Sequence, residues 1–250
     1  MNRDLQSADL DQVQSVPVIQ LDRGSYIIHE TARALILTGF ESLSTRPLPE
    51  LEDLAAKWQS TRIPLLAIID GPLAGVLAEM VLLCHWRIGT SRTIFTFPTR
   101  PWSGPQSTSG LLRGIVGKDR ELEIRLSGRP VEASLALSAG LLQVLVDSPS
   151  AALSRAEAIV SQLACTSPNA IRLAIDAVTQ GISLPLGTAL AVETDHFIRS
   201  IISADAREGV NAFFEKRMPN FTGREGQARL DQPPFNSYTE SLLVEEDDRC

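Results

Sequence analysis

The chain has 250 residues, 44% of them hydrophobic, enough for one sizeable core with room for a helical appendage. Its net charge of −7 and pI near 5.1, with no Lys/Arg run, argue against a basic face for nucleic acid. The cysteines Cys84, Cys165 and Cys250 are far apart and lack paired metal spacing, so neither a disulfide framework nor a zinc site is expected.

Residues 1–15 are polar, lack an apolar signal region and read as a flexible lead. "VPVIQLD" (16–22) reads as a strand ending at Arg23-Gly24, and "SYIIHE" and "ARALILTG" as one or two more, closed by Thr38-Gly39. "FESLSTRPLPE" is a loop. "PELEDLAAKWQSTR" is helical, with Pro49 near the first turn, early acids, and Leu51, Leu54, Ala55 and Trp58 on one face. "IPLLAIID" is a short continuous apolar run, the mark of a buried strand. The next stretch, "GPLAGVLAEMVLL", turns at Gly75 into a helix apolar on nearly every face except for Glu79. "RTIFTF" is another strand, ended by Pro98, and 98–110 is a long Pro/Gly/Ser-rich loop, a length more often functional than idle.

"LLRGIVGKDRELEIRLSG" continues as helix, Gly turn and helix, and "VEASLALSAGLLQVLVD" as a helix leading to a final strand. From Ser150 to about Phe221 the pattern is helical, with breaks near Ser167-Pro168 and Gly181. The tail 225–250 holds seven acids against two arginines and reads as loosely ordered. Cys84 and Cys165 lie in apolar helical patterns and read as core thiols. Asp70, Gly71, Pro72 and Glu79 interrupt the longest apolar stretch, so no transmembrane run is expected. The chain reads as cytoplasmic. Its organisation is an α/β core over 16–150, a helical region over 151–224 and an acidic tail.

Five pieces in order resemble the crotonase (enoyl-CoA hydratase/isomerase) superfamily: "ALILTG" (34–39), "IPLLAIIDGPLAGVLAEMVLLCHWRIGT", "IFTFPT", "LSGRPVEASLALSAGLLQVLV" and "DAREGVNAFFEKRMPNFTG" (205–223). The resemblance covers roughly 16–224 and implies an α/β fold, a ββα superhelix core with a C-terminal helical trimerisation region. It implies a substrate carried as a thioester of coenzyme A or of a carrier-protein pantetheine, with no further cofactor and no metal. Partners implied are acyl-CoA or acyl carrier protein and further copies of the chain in a homotrimer or hexamer, with no nucleic acid and no membrane.

In this family two backbone N–H groups hold the thioester oxygen as it becomes an enolate, and one such donor is typically worth about 10²–10³ in rate. The resemblance assigns the second donor to the Val76 N–H, where Val76 and Leu77 replace a glycine pair and bring two apolar side chains near the pocket. The first donor falls just after Thr38-Gly39, where "FESLSTRPLP" replaces the family's "A-G-x-D" and Ser42 to Thr45 are candidates. Glu79 matches the first of two hydratase glutamates, and a buried carboxylate suits general acid/base work. The competing reading pairs it with an arginine such as Arg87 or Arg113.

The second glutamate falls on Thr99, which cannot act as an acid/base near neutral pH. That leaves one-base reactions: isomerisation, dehydration or decarboxylation. Arg100, Trp102 and Gln106 are candidates to line the acyl pocket, against loop packing. Lys216 matches a lysine that reaches CoA phosphates, against an ordinary solvated charge. His85 reads as a satisfied core or interface histidine. Only about a dozen residues separate Asp22 from Leu35, where the family has a longer helical segment, and that resemblance favours a carrier-protein substrate; the enzyme reading places the chain in polyketide or other specialised biosynthesis. The alternative is a non-catalytic crotonase-fold subunit that stabilises a partner enzyme.

Overall fold

The structure, a computed structural model, describes residues 17–21, 33–99, 109–182 and 184–223. "SYIIHE", Arg100, Trp102, Gln106, Cys250 and the acidic tail lie outside the described residues. The described chain divides into two compact units, one ending at Ala164 and one beginning at Cys165.

In chain order, the strands of the first unit are β1 (Val18–Gln20), β2 (Leu35–Thr38), β3 (Leu65–Ile69), β4 (Pro72–Ala74), β5 (Trp86–Thr90), β6 (Ile94–Thr96), β7 (Val131–Glu132) and β8 (Val144–Val146). The helices are α1 (Leu48–Ser60), α2 (Val76–Met80), α3 (Ser109–Val116), α4 (Lys118–Ser127), α5 (Ala133–Ser138) and α6 (Pro149–Ala164). A parallel sheet runs β1-β2-β3-β5-β8, with Ile36 opposite Leu66, Ala67 opposite Arg87 and Ile88 opposite Val144. A smaller sheet pairs β4 with β6 in parallel and β6 with β7 antiparallel.

The continuous apolar run "LLAII" is explained by burial on both faces of β3. Leu65, Ala67 and Ile69 join the larger core with Leu35, Leu37, Phe40 and Trp58. Leu66 and Ile68 face the other way, with Ile36 and Ile88, and pack on Ala152, Ala156, Ile159 and Val160 of α6. The 3.6-residue periodicity puts those four on one stripe, and the two alanines let the helix approach the sheet closely. Each large aliphatic side chain so buried contributes about 1.5–3 kcal/mol.

Polar groups lock β3 to β5, and β5 to the turn that leads into β8. The Leu65 N–H donates to His85 Nδ1 at 3.0 Å, and the His85 N–H returns a bond to Leu65 O at 2.9 Å. His85 is therefore a satisfied histidine, and burial, aided by the neighbouring Arg87 charge, pulls its pKa down to about 4. Buried Arg87 donates to the carbonyls of Leu141, Cys84 and Gly140. Burial pushes the Cys84 thiol up to about 12, as expected for a core thiol. Cys165, by contrast, is exposed, which corrects the reading of it as a core thiol. It comes just after the last turn of α6, where the apolar stripe has ended.

The second unit contains α7 (Pro168–Gly181), α8 (Leu186–Ile201) and α9 (Ala204–Glu215). Ser167 caps α7 by accepting from the Ala170 N–H at 3.2 Å, while its hydroxyl donates to Asp205 Oδ2 at 2.6 Å. Asp205 also accepts from the N–H groups of Thr222 and Gly223. Arg217 grips Glu208, whose carboxyl is held down at about 2 by that guanidinium and by the Asn220 N–H. The "DAREGVNAFFEKR" stretch thus ties the end of the helical region back onto its own helices. Phe197, Ile201, Val210, Phe213 and Phe214 are exposed.

The fold differs from the sequence reading in several places: Phe40–Thr45, read as a loop, form a 3₁₀ turn, and β4, β5 and β7 are strands the sequence reading lacks. The apolar run after Gly75 is not one long helix: α2 lasts five residues, a 3₁₀ turn covers Val81–Leu83, and β5 begins at Trp86. Burial on all sides removes the periodicity that would have separated a short helix from a strand. The helical region also breaks at Ile202, with Ser203 as a new N-cap accepting from the Ala206 N–H.

Candidate active site

Strand β4 delivers the chain to Gly75, whose backbone sits at φ 62° and ψ −130°, a conformation glycine alone takes without strain. The Gly75 N–H donates to Thr96 O at 2.9 Å and anchors the turn on β6. Val76 then opens α2, and among the described residues nothing accepts from its N–H. The Val76 side chain is half-buried against the core and Leu77 lies within it, so the apolar pair belongs to the core packing.

A 3₁₀ turn over Phe40–Thr45 packs against α2 and β4, which puts Ser42 to Thr45 on a turn beside the helix that Val76 opens. This turn is closed on itself. The Ser42 N–H donates to Gly39 O, and the Ser42, Ser44 and Thr45 hydroxyls donate to carbonyls three residues back. The Ser42 N–H is thereby taken.

Glu79 lies one turn after Val76 and is fully buried. Its partner is Arg125, reaching from α4: Nη1 donates to Glu79 Oε1 at 2.9 Å. Neither Arg87 nor Arg113, the arginines expected from sequence, makes this contact; Arg87 is spent on carbonyls and Arg113 Nε donates to Glu121 Oε2 at 3.2 Å. Arg125 holds three acceptors at once. Nε donates to Glu121 Oε1 at 3.0 Å, and Nη1 also donates to Pro98 O at 2.9 Å. Its Nη2 is buried and donates to no group among the described residues. Arg125 is the site residue that sequence reasoning missed. The available signal was Glu121 and Arg125 at i, i+4 spacing on a helix one face of which is buried.

Thr99 comes directly after Pro98 at the end of the β6 segment and is exposed. Lys216 caps α9 in the second unit with φ 53° and ψ 39°, its side chain exposed. Among the described residues no helix is long and apolar enough to cross a membrane, and no group of three or more His, Cys, Asp or Glu side chains could hold a metal ion.

A glycine turn anchored on a neighbouring strand, an N–H with no acceptor among the described residues and a buried carboxylate one turn later lie together on an α/β fold. Residues 31–224 match the enoyl-CoA hydratase/isomerase family model. YngF of Bacillus subtilis (strain 168), named as an enoyl-CoA hydratase/isomerase, is 31% identical over 64% of this chain and 62% of its own length. The 2,3-dehydroadipyl-CoA hydratase of Escherichia coli (strain K12) is 32% identical over 72% of this chain and 69% of its own. The chain thus spans just under two thirds of the first relative and just over two thirds of the second. Among solved structures, enoyl-CoA hydratase subunit I of Geobacillus kaustophilus HTA426 superposes with a TM-score of 0.62 at 24% identity, over 78% of this chain and 82% of that one. An enoyl-CoA hydratase of Mycobacterium smegmatis gives 0.62 at 23%, over 77% and 82%. The chain belongs to the enoyl-CoA hydratase/isomerase family of the crotonase superfamily, with its α/β fold.

Proposed function

We propose that the chain acts on an acyl thioester, carried on CoA or on the pantetheine arm of a carrier protein, with Val76 as an oxyanion donor and Glu79 as the single acid/base. The observation that carries this reading is a wholly buried Glu79 one turn after the open Val76 N–H. Two family-type elements meet on one five-residue helix. The bond from Arg125 fixes the position of Glu79, whose role in this reading is to take a proton from the carbon beside the thioester. The enolate charge then develops against the Val76 N–H at the start of α2.

Because Thr99 supplies no second acid, the reaction is isomerisation, dehydration or decarboxylation, as in polyketide or other specialised biosynthesis. The exposed phenylalanines and isoleucines of the second unit suit contacts between copies, and we propose a trimer or hexamer working in the cytoplasm. The Lys216 side chain, exposed at the α9 cap, is the proposed contact to substrate phosphate.

The test is Glu79→Gln, assayed with crotonyl, glutaconyl and β-hydroxyacyl thioesters on CoA and on acyl carrier protein. Turnover falls by about 10²–10⁴ while the fold survives; an unchanged rate removes Glu79 from the chemistry. A second reading, a non-catalytic subunit, draws on the buried ion pair between Glu79 and Arg125, and failure to bind any of these thioesters would favour it.

A further inference from the structure

Charged side chains alternate in sign from the surface to the site. Arg113, in the last turn of α3, is 67% exposed. Glu121 and Arg125, one turn apart on α4, are 7% and 6% exposed, and Glu79 is fully buried. Arg113 Nε donates to Glu121 Oε2 at 3.2 Å, Arg125 Nε to Glu121 Oε1 at 3.0 Å, and Arg125 Nη1 to Glu79 Oε1 at 2.9 Å. Each oxygen of Glu121 is thus taken by a different arginine. Arg125 Nη2 is buried and bonds nothing among the described residues.

That orphaned donor has a geometric cause. The Nε–H and one Nη2–H of a guanidinium point the same way, and together they match the two oxygens of one carboxylate. Glu121 already sits on the Nε side of Arg125. Closing the fork needs only its second oxygen, and Arg113 holds that oxygen. A buried donor left unpaired is unfavourable, so an open fork persists only where something keeps it from closing.

We propose that Arg113 is a positioning residue for Glu79. By keeping Glu121 Oε2, it stops Glu121 from taking both arms of Arg125 and leaves Nη1 directed at Glu79. This rests on the thioester reading, in which Glu79 takes the proton. Without Arg113, two buried carboxylates compete for one buried guanidinium, and Glu121 has the advantage of sharing its helix. The fork closes, the guanidinium turns toward Glu121, and Nη1 withdraws from Glu79 and from the carbonyl of Pro98. Ion pairs with an exposed partner add little to stability, so the effect of Arg113 falls on geometry more than on folding.

The experiment measures kcat and KM of the full-length protein, of Arg113→Ala, of Arg113→Lys and of the double variant Arg113→Ala/Glu121→Gln, on the thioester that the unaltered protein turns over fastest. Arg113→Ala lowers kcat by about 10²-fold, the scale of a misplaced catalytic group, with little change in KM. Arg113→Lys, whose ammonium still holds Glu121 Oε2, keeps most of the rate. The double variant regains it, because the glutamine amide offers a single acceptor oxygen and cannot close the fork. A purely structural role for Arg113 gives the opposite order, with the double variant the worst. An unchanged kcat in Arg113→Ala, or no recovery in the double variant, overturns the inference and leaves the thioester reading to the Glu79→Gln test. A crystal structure of Arg113→Ala reads the same geometry without substrate. Arg125 Nη2 on Glu121 Oε2, with Nη1 off Glu79, supports the inference; Nη1 still on Glu79 overturns it, whether or not any thioester turns over.

Discussion

Arg125 Nη1 lies 2.9 Å from Glu79 Oε1, and neither side chain is more than 6% exposed. A buried pair of this kind adds little to stability when compared with well-packed apolar residues, but breaking it leaves one charge stranded. Arg125→Met is therefore expected to destabilise the protein by about 3–5 kcal/mol. Glu79→Gln is expected to be milder, since the amide oxygen still accepts from Nη1. Urea unfolding of both variants checks this. A loss under about 1 kcal/mol in Arg125→Met would show that the pair behaves as an exposed one.

The contrast between Glu79 and Arg125 also shows what was legible in the sequence. Glu79 stood out because an acid in "GVLAEMVLL" breaks an otherwise apolar segment, and Gly75 marks a turn by its chemistry alone. Arg125 did not stand out. In "KDRELEIRLSG" it is one charge among many, and only the packing of α4 reveals that Glu121 and Arg125 face inward while Leu122 and Leu126 are exposed. A pattern reader expects the reverse. The buried strands β2 and β3 are readable from unbroken apolar runs, whereas β5 has no such signal because "HWRIGT" hides a buried arginine and a histidine that bond to backbone. Three-residue β4 and two-residue β7 carry too few positions for any period to register.

His85 makes stability depend on pH in a defined window. Folded, it titrates near 4; unfolded, it titrates near 6.5. Between these values the unfolded chain holds a proton that the folded chain does not, so stability rises with pH. The contribution is fully present above about 6.5 and is lost as the pH falls toward 4, amounting to about 3 kcal/mol. In His85→Asn, whose side-chain oxygen can still accept from the Leu65 N–H, that part of the slope disappears. Urea midpoints between pH 5 and 6.5, above the carboxylate range, read it directly; parallel slopes for variant and parent would refute it.

In the second unit, Ser167 serves both as cap of α7 and as donor to Asp205. Ser167→Ala is expected to destabilise the protein by about 1–3 kcal/mol, from the lost cap and the lost bond to a charged acceptor. Asp205→Ala additionally frees the N–H groups of Thr222 and Gly223, so their amide hydrogen exchange accelerates more than that of the α7 interior. Unchanged protection at those two amides would show that the carboxylate does not hold the segment around Thr222 and Gly223.

Gly75 and Gly89 separate geometry at the site from packing away from it. A Cβ on Gly75 would meet nothing within 4 Å, so space does not forbid alanine there; the backbone at φ 62° does. Gly75→Ala thus carries a strain of about 1–3 kcal/mol, and relief of that strain rotates the peptide that presents the Val76 N–H. A misplaced oxyanion donor lowers kcat/KM by about 10²–10³ per folded molecule. Gly89 in β5 is the opposite case. Its backbone is ordinary, but a Cβ would fall 2.5 Å from Leu142 Cδ1 and 2.9 Å from Thr93 Oγ1, so Gly89→Ala overpacks the core by about 1–3 kcal/mol. The expected pattern is a similar stability loss in the two variants with a rate defect confined to Gly75→Ala. Equal rate defects after correction for folded fraction would show that the Gly75 turn positions nothing the chemistry uses.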